Sequence, residues 1–172
     1  LDRQSDAALR FIDLHHAKPF FLYHAYYTPH DPLASTKKYL DRFPGEMPER
    51  RRHALAMISA IDDGVGNILK KLDQHGIDEN TLIFFIGDNG TGGEGKGTVT
   101  ELGVRVPFIV RGPGHIRTGL ASEALASGCD ILPTIADLCG AKPPAGHPID
   151  GVSLLPVLRG EVKTHRDWVY SY

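Results

Sequence analysis

A long helical pattern followed directly by an apolar run constrains the fold of this chain most strongly. Apolar residues recur at spacings of three and four between Ala54 and Leu72, which predicts a helix over Glu49–Gln74 with Gly76 as its left-handed cap. Residues 81–86 then form a continuous apolar run, typical of a strand buried on both faces. Because a helix is the usual connection between parallel strands, this order predicts an α/β layered fold.

The remaining segments extend this pattern. Residues 5–15 predict a short amphipathic helix with Ser5 as a candidate cap, and residues 131–139 predict another that Asp130 caps and Gly140 closes. Residues 20–26 and 106–110 are further strand candidates, the second near an edge because it contains Pro107. We therefore expect a sheet of largely parallel strands flanked by helices. Residues 20–26 and 81–86 should be nearby strands, with the long helix packed on one face.

Composition excludes two classes of protein. The 172 residues carry a formal net charge of −2, whereas a nucleic-acid binder usually shows a basic excess. No apolar run approaches the roughly 18 residues of a membrane helix. The two cysteines, Cys129 and Cys139, would lie roughly 15 Å apart on one helix. A disulfide requires Cα atoms within about 7 Å, so we expect two small buried apolar residues instead.

Polar residues follow two of the predicted strands. His30 lies in a loop between two prolines after residues 20–26, and Asp88 and Asn89 come after residues 81–86. In open α/β folds, ligands bind beyond the carboxyl ends of the strands. A carboxylate beside an amide oxygen suits Ca²⁺ or Mg²⁺, and Gly87 and Gly90 would free the backbone to aim both at one point. Asp-Asn-Gly is also a favoured turn sequence, so a plain turn is the alternative.

Two cationic or titratable side chains complete the candidate site. Lys96 lies among glycines that would let it approach a sulfate or phosphate closely, although the frame of a P-loop is absent. A solvated loop lysine is the alternative. His30 could donate to an oxyanion or a leaving oxygen, and a surface histidine is its alternative.

Taken in order, these segments resemble the sulfatase family of the alkaline-phosphatase superfamily. The resemblance covers nearly the whole chain and rests on the order of many short motifs, among them Thr28-Pro29-His30-Asp31-Pro32 and Gly87-Asp88-Asn89-Gly90. The other matching segments are residues 19–23, 61–66, 80–85, 96–98, 101–107, 113–116, 130–134 and 150–154.

The resemblance implies a fold and a chemistry. Residues 1–160 would be the C-terminal part of an alkaline-phosphatase-like catalytic domain, incomplete here, and residues 161–172 the start of a truncated C-terminal subdomain. Asp88 and Asn89 match metal ligands, the metal being usually Ca²⁺ in the family. His30 and Lys96 match residues that contact the sulfate group. The substrate would be a small-molecule or carbohydrate sulfate ester, and the compartment periplasmic, secreted or lysosomal. The oligomeric state stays open.

The chain also departs from the family pattern. The family nucleophile is a formylglycine made from the cysteine of Cys-x-Pro-Ser-Arg, and neither Cys129 nor Cys139 lies in that sequence. The paired aspartates that complete the metal site also have no counterpart, so both features should belong before Leu1. We therefore expect the isolated chain to be inactive. Two alternatives remain: a phosphomonoester or phosphonate hydrolase of the same superfamily, and a non-catalytic binding domain that keeps only the fold.

Overall fold

The computed structural model of the chain describes residues 1–142 and 146–171. They divide into two compact units, Leu1–Asp78 and Glu79–Tyr172. The predicted boundary between a catalytic part and a C-terminal subdomain at residue 160 is a different division of the chain and stays a prediction.

The first unit is a helical assembly around one long helix. Helices α1 (Asp2–His15) and α2 (Lys37–Leu40) pack on α3 (Glu49–Gln74), which has the predicted bounds. The apolar stripe of α3 explains the packing, because it supplies most of the buried side chains of this unit. The buried core consists of Ala8, Ile12, Tyr39, Ala56, Met57, Ala60, Ile61 and Leu72.

The ends of two helices test the predicted caps. Gly76 has φ +66°, and Ile77 N–H donates to the Leu72 carbonyl at 3.0 Å, so Gly76 closes α3 as predicted. The prediction for Ser5 was wrong. Helix α1 begins at Asp2, and Ser5 lies buried inside it with its hydroxyl 3.1 Å from the Tyr26 hydroxyl.

Residues 20–26 do not form the predicted strand; they are neither helix nor strand. Instead, side chains tie this segment to α1. Gln4 donates to the Ala25 carbonyl at 2.9 Å, Tyr26 meets Ser5, and the Phe11 and Phe20 rings pack edge to face at 5.7 Å. Aromatic side chains favour strands, but they also bury a large area when they pack on a helix. In this segment they pack on α1.

The second unit contains a sheet of two strands, β1 (Ile83–Ile86) and β2 (Phe108–Arg111). Their pairing is antiparallel, with Ile83 opposite Arg111 and Ile86 opposite Phe108. For this pair of strands, which forms the sheet in the part of the chain that the structure describes, the expected parallel arrangement is therefore corrected to an antiparallel one. The physical reason is the connection: it contains only the one-turn helix α4 (Glu101–Val104), so the chain folds straight back, with Gly87 N–H donating to the Pro107 carbonyl at 3.0 Å.

Asp130 lies at the junction of the remaining helical elements of this unit. It ends a 3₁₀ turn, Gly128–Asp130, and precedes α5 (Ile131–Leu138), after which α6 (Leu155–Leu158) follows. The predicted position of the cap is confirmed, but the Asp130 carboxylate binds the Ser127 backbone N–H rather than a donor of α5. Gly140, at φ +64°, follows the helix as predicted.

The two cysteines flank α5. Cys129 and Cys139 are free, as predicted, but both are exposed, which corrects the expectation of burial. Cys129 lies in the 3₁₀ turn before α5 and Cys139 directly after it, so neither faces a core. Within residues 1–142 and 146–171, no helix has the length and apolar character that a membrane span requires.

Candidate functional site

His30 lies in an exposed loop of the first unit, between residues 20–26 and α2. Its Nδ1 is 2.8 Å from the backbone carbonyl oxygen of Asp31. A carbonyl oxygen only accepts hydrogen bonds, so Nδ1 is the protonated nitrogen. In the neutral ring Nε2 is then a proton acceptor, and in the imidazolium it is a donor. The loop therefore presents one defined nitrogen to a ligand.

A bidentate ion pair anchors this loop to α3. Arg50 donates to the two Asp31 carboxylate oxygens at 2.8 and 3.0 Å. These hydrogen bonds and then the charge of Arg50 hold the pKa of the Asp31 carboxyl below its usual value. The same hydrogen bonds and the charge of Asp31 raise the pKa of Arg50. Sequence analysis missed Arg50, because no periodicity or spacing rule links an arginine in the first turn of a helix to a loop 19 positions earlier.

Asp88 and Asn89 follow β1 after Gly87, as predicted, and both side chains are exposed. The Asn89 amide nitrogen donates to the Gly90 carbonyl at 3.0 Å, so its amide oxygen remains as the atom that a cation would bind. A carboxylate and an amide oxygen on adjacent residues fit a hard cation as part of its ligand set. In the described ranges, no group of three or more His, Cys, Asp or Glu side chains could hold a metal ion by itself.

Lys96 lies on the same connection between β1 and β2, and its side chain is exposed. The turn that carries it is fixed by backbone hydrogen bonds: Lys96 N–H donates to the Thr91 carbonyl at 2.7 Å, and Thr91 N–H to the Leu102 carbonyl at 2.9 Å. A Cβ on Gly90 or Gly95 would collide with the Leu102 carbonyl oxygen. These glycines therefore allow the loop to close on itself, a role that the sequence analysis did not assign to them.

The four predicted residues are thus divided between the two units. His30 belongs to Leu1–Asp78, whereas Asp88, Asn89 and Lys96 share one loop of Glu79–Tyr172. Their convergence on a single pocket stays a prediction. Two cavities occur elsewhere: a polar one of about 250 Å³ beside Tyr39 and Asp63, and an apolar one of about 320 Å³ beside Leu132 and Ile135. No predicted site residue lines either.

Comparison with known proteins identifies the class of the chain. The model of the family described as Sulfatase matches residues 2–141, and the chain belongs to this family. Solved structures agree. The crystal structure of Ps i-CgsB superposes with a TM-score of 0.85 at 34% identity, over 91% of this chain and 38% of that one. A sulfatase of Pseudoalteromonas sp. superposes with a TM-score of 0.82 at 31% identity, over 98% of this chain and 36% of its own. The chain is therefore part of an alkaline-phosphatase-like α/β fold.

Curated relatives point to the same class. The chain is 40% identical to an N-acetylgalactosamine-6-sulfatase of Mus musculus over 90% of its length, and 36% identical to an arylsulfatase of Hemicentrotus pulcherrimus over 96%. It spans about a third of each relative, 32% and 31%. The family is consistent with a metal cofactor, which the oxygen ligands after β1 would suit.

Two further structural matches bear on substrates. A phosphonate monoester hydrolase of Agrobacterium radiobacter superposes less closely, with a TM-score of 0.58 at 33% identity over 64% of this chain and 23% of its own. Another solved protein, in complex with its substrate D-glucosamine-2-N,6-O-disulfate, superposes with a TM-score of 0.62 at 35% identity over 70% of this chain and 25% of its own.

Proposed function

We propose that this chain supplies the anion-binding and part of the metal-binding machinery of a sulfuric ester hydrolase. The observation that carries the proposal is the family match over residues 2–141, within which the adjacent oxygen ligands Asp88 and Asn89 follow β1. None of the 172 residues forms part of a Cys-x-Pro-Ser-Arg sequence, so the chain does not itself supply the nucleophile that the family resemblance implies.

Each proposed site residue has one task. Lys96 places a compact positive charge against a sulfate oxygen, and its glycine-closed turn fixes the backbone from which the side chain extends. His30 presents Nε2 to the ester, where the imidazolium form stabilises the developing oxyanion or gives its Nε2 proton to the leaving-group oxygen and returns to the neutral Nδ1–H ring. Asp88 and Asn89 would hold a divalent cation, which we propose to be Ca²⁺. When bound, the cation would stabilise negative charge on the sulfate.

The proposed substrates are sulfate esters of small molecules or carbohydrates. A sulfate ester presents a tetrahedral group of negatively polarised oxygens, which matches a cation, a lysine and a histidine donor. The substrate named for the structural neighbour above, a sulfated glucosamine, supports the carbohydrate class. The periplasmic, secreted or lysosomal compartment that the family resemblance implies remains a proposal on the same footing.

A chimeric enzyme tests this function. The chain replaces the matching segment of the mouse N-acetylgalactosamine-6-sulfatase, and hydrolysis of an aryl sulfate is measured beside that of an aryl phosphate. We expect the chimera to cleave the sulfate ester faster, and the isolated 172-residue chain to cleave neither. A chimera that prefers the phosphate ester would favour the phosphomonoester or phosphonate hydrolase alternative. A folded chimera without any turnover would favour a non-catalytic domain.

A further inference from the structure

An ion pair attaches the loop that carries His30 to α3. Neither residue of this pair is a proposed sulfate-binding residue. Arg50 lies in the first turn of α3, and both of its terminal nitrogens donate hydrogen bonds to the Asp31 carboxylate. An arginine fork that meets a carboxylate at two points fixes direction as well as distance, which a single contact does not. The pair therefore restrains the orientation of residue 31 relative to the helix.

Asp31 links this attachment to the histidine ring. Its carboxylate binds Arg50, while its backbone carbonyl accepts the hydrogen bond from His30 Nδ1 at 2.8 Å. Any rotation of residue 31 moves that carbonyl away from Nδ1. Without this acceptor, the hydrogen bond that favours the Nδ1–H tautomer is lost, and the neutral ring would populate both tautomers.

Helix α3 is a suitable anchor for such a restraint. It runs for 26 residues, and Ala56, Met57 and Ala60 are buried in its first half. The backbone of position 50 is therefore held by a packed helix, while the Arg50 and Asp31 side chains pair at the surface. The neighbouring Arg51 is exposed in the same helical turn and supplies a natural comparison.

We propose that Arg50 is a positioning residue for His30: through Asp31, it fixes the tautomer in which Nε2 of the neutral ring is free to accept a proton, and the imidazolium so formed is the donor that Nε2 offers to an ester oxygen. The inference rests on the proposed function for its catalytic meaning. Arg50 and Asp31 touch no substrate in this account; they set which nitrogen the histidine offers.

Nitrogen-15 NMR of the imidazole tests the proposal on the whole 172-residue chain. The spectra are recorded at about pH 8.5, and each neutral tautomer of an imidazole has its own pair of nitrogen shifts. We expect wild-type His30 to show a protonated Nδ1 and an unprotonated Nε2. In Arg50→Ala and in Asp31→Asn, this pattern should be lost, with both nitrogens shifting toward averaged values.

Matched variants separate positioning from a general structural effect. Arg51→Ala removes an exposed arginine from the same turn of α3 and should keep the wild-type pattern. If Arg50→Ala loses helical circular dichroism, Asp31→Asn decides the question, because it breaks the ion pair and leaves α3 unaltered. A wild-type Nε2–H tautomer, or an unchanged Nδ1–H tautomer in a folded Arg50→Ala or in Asp31→Asn, overturns the proposal. These shifts do not depend on turnover, so the proposal and the hydrolase function fail separately.

Discussion

Asp130 is a fully buried carboxylate with an unusually complete set of donors. It accepts hydrogen bonds from the Ser127 and Val152 backbone N–H groups at 2.9 and 2.8 Å and from Arg166, and His165 Nε2 lies 3.4 Å away. One side chain thus joins the 3₁₀ turn, the segment before α6 and the end of the described chain. Burying a charge is unfavourable unless it is paired in this way.

Replacing Asp130 by Asn should destabilise the chain strongly. The amide keeps the shape but leaves Arg166 without its buried counter-charge and turns an NH₂ group toward the existing donors. We expect a loss of about 3 to 5 kcal/mol in the free energy of unfolding, measured by urea denaturation. Asp137→Asn is the control: Asp137 is exposed and accepts one hydrogen bond from Ser153, so about 1 kcal/mol is expected. Equal losses for the two variants would contradict this account.

Asp13 gives the first unit a defined pH dependence. Hydrogen bonds from His75 and then Lys71 hold the pKa of its carboxyl below the usual value. Because the folded pKa is depressed, the contribution to stability is present above the unfolded pKa of about 3.9 and is lost as pH falls through the folded value. Asp13→Asn should therefore be less stable than wild type at pH 6, and the difference should vanish in strong acid, as followed by urea unfolding. A difference that does not change with pH would refute this assignment.

At the scale of elements, two glycines of α3 differ in what surrounds them. A Cβ on Gly64 would collide with the hydroxyls of Ser5 and Tyr26, which meet across the face of α3, whereas a Cβ on Gly66 would meet nothing within 4 Å. Gly64 therefore makes room for the contact that docks residues 20–26 on α1. Gly66 has no such packing role.

Alanine at these two positions should act in opposite directions. Gly66→Ala should raise the free energy of unfolding by about 1 kcal/mol, because alanine is the better helix former. Gly64→Ala has the same propensity gain but forces Ser5 and Tyr26 apart, and overpacking typically costs about 1 to 3 kcal/mol. We expect Gly64→Ala to be the less stable of the two by thermal and urea unfolding. If the two variants were equally stabilised, the Tyr26 contact would not be an anchor.

The same elements show what sequence could predict. The bounds of α3 and its Gly76 cap, together with the placement of Asp88 and Asn89 after β1, follow from local rules and were predicted correctly. Strand pairing depends on distant partners. The apolar run at 20–26 was therefore assigned to a sheet, although it contacts a helix, and the antiparallel return of β2 was missed. Arg50 was missed for the same reason, since its partner is remote in sequence.

At the scale of the whole molecule, the chain spans about a third of the length of its curated sulfatase relatives, and its two units divide the proposed site residues between them. The unit of residues 1–78 carries the histidine and its support from α3, and the second unit carries the oxygen ligands and the lysine. We propose that His30 and Lys96 each contribute to the cleavage of the sulfate ester.

The most direct test is the kcat/KM of the chimeric enzyme for an aryl sulfate, with His30→Ala and Lys96→Ala introduced singly. Each should cost roughly 2 to 4 kcal/mol of transition-state stabilisation, the scale of a lost oxyanion donor. The controls are His147→Ala, an exposed loop histidine, and Lys37→Ala, an exposed lysine of α2; both should keep the parent kcat/KM. Parent-like kcat/KM in His30→Ala and Lys96→Ala would contradict the account and leave only the family fold.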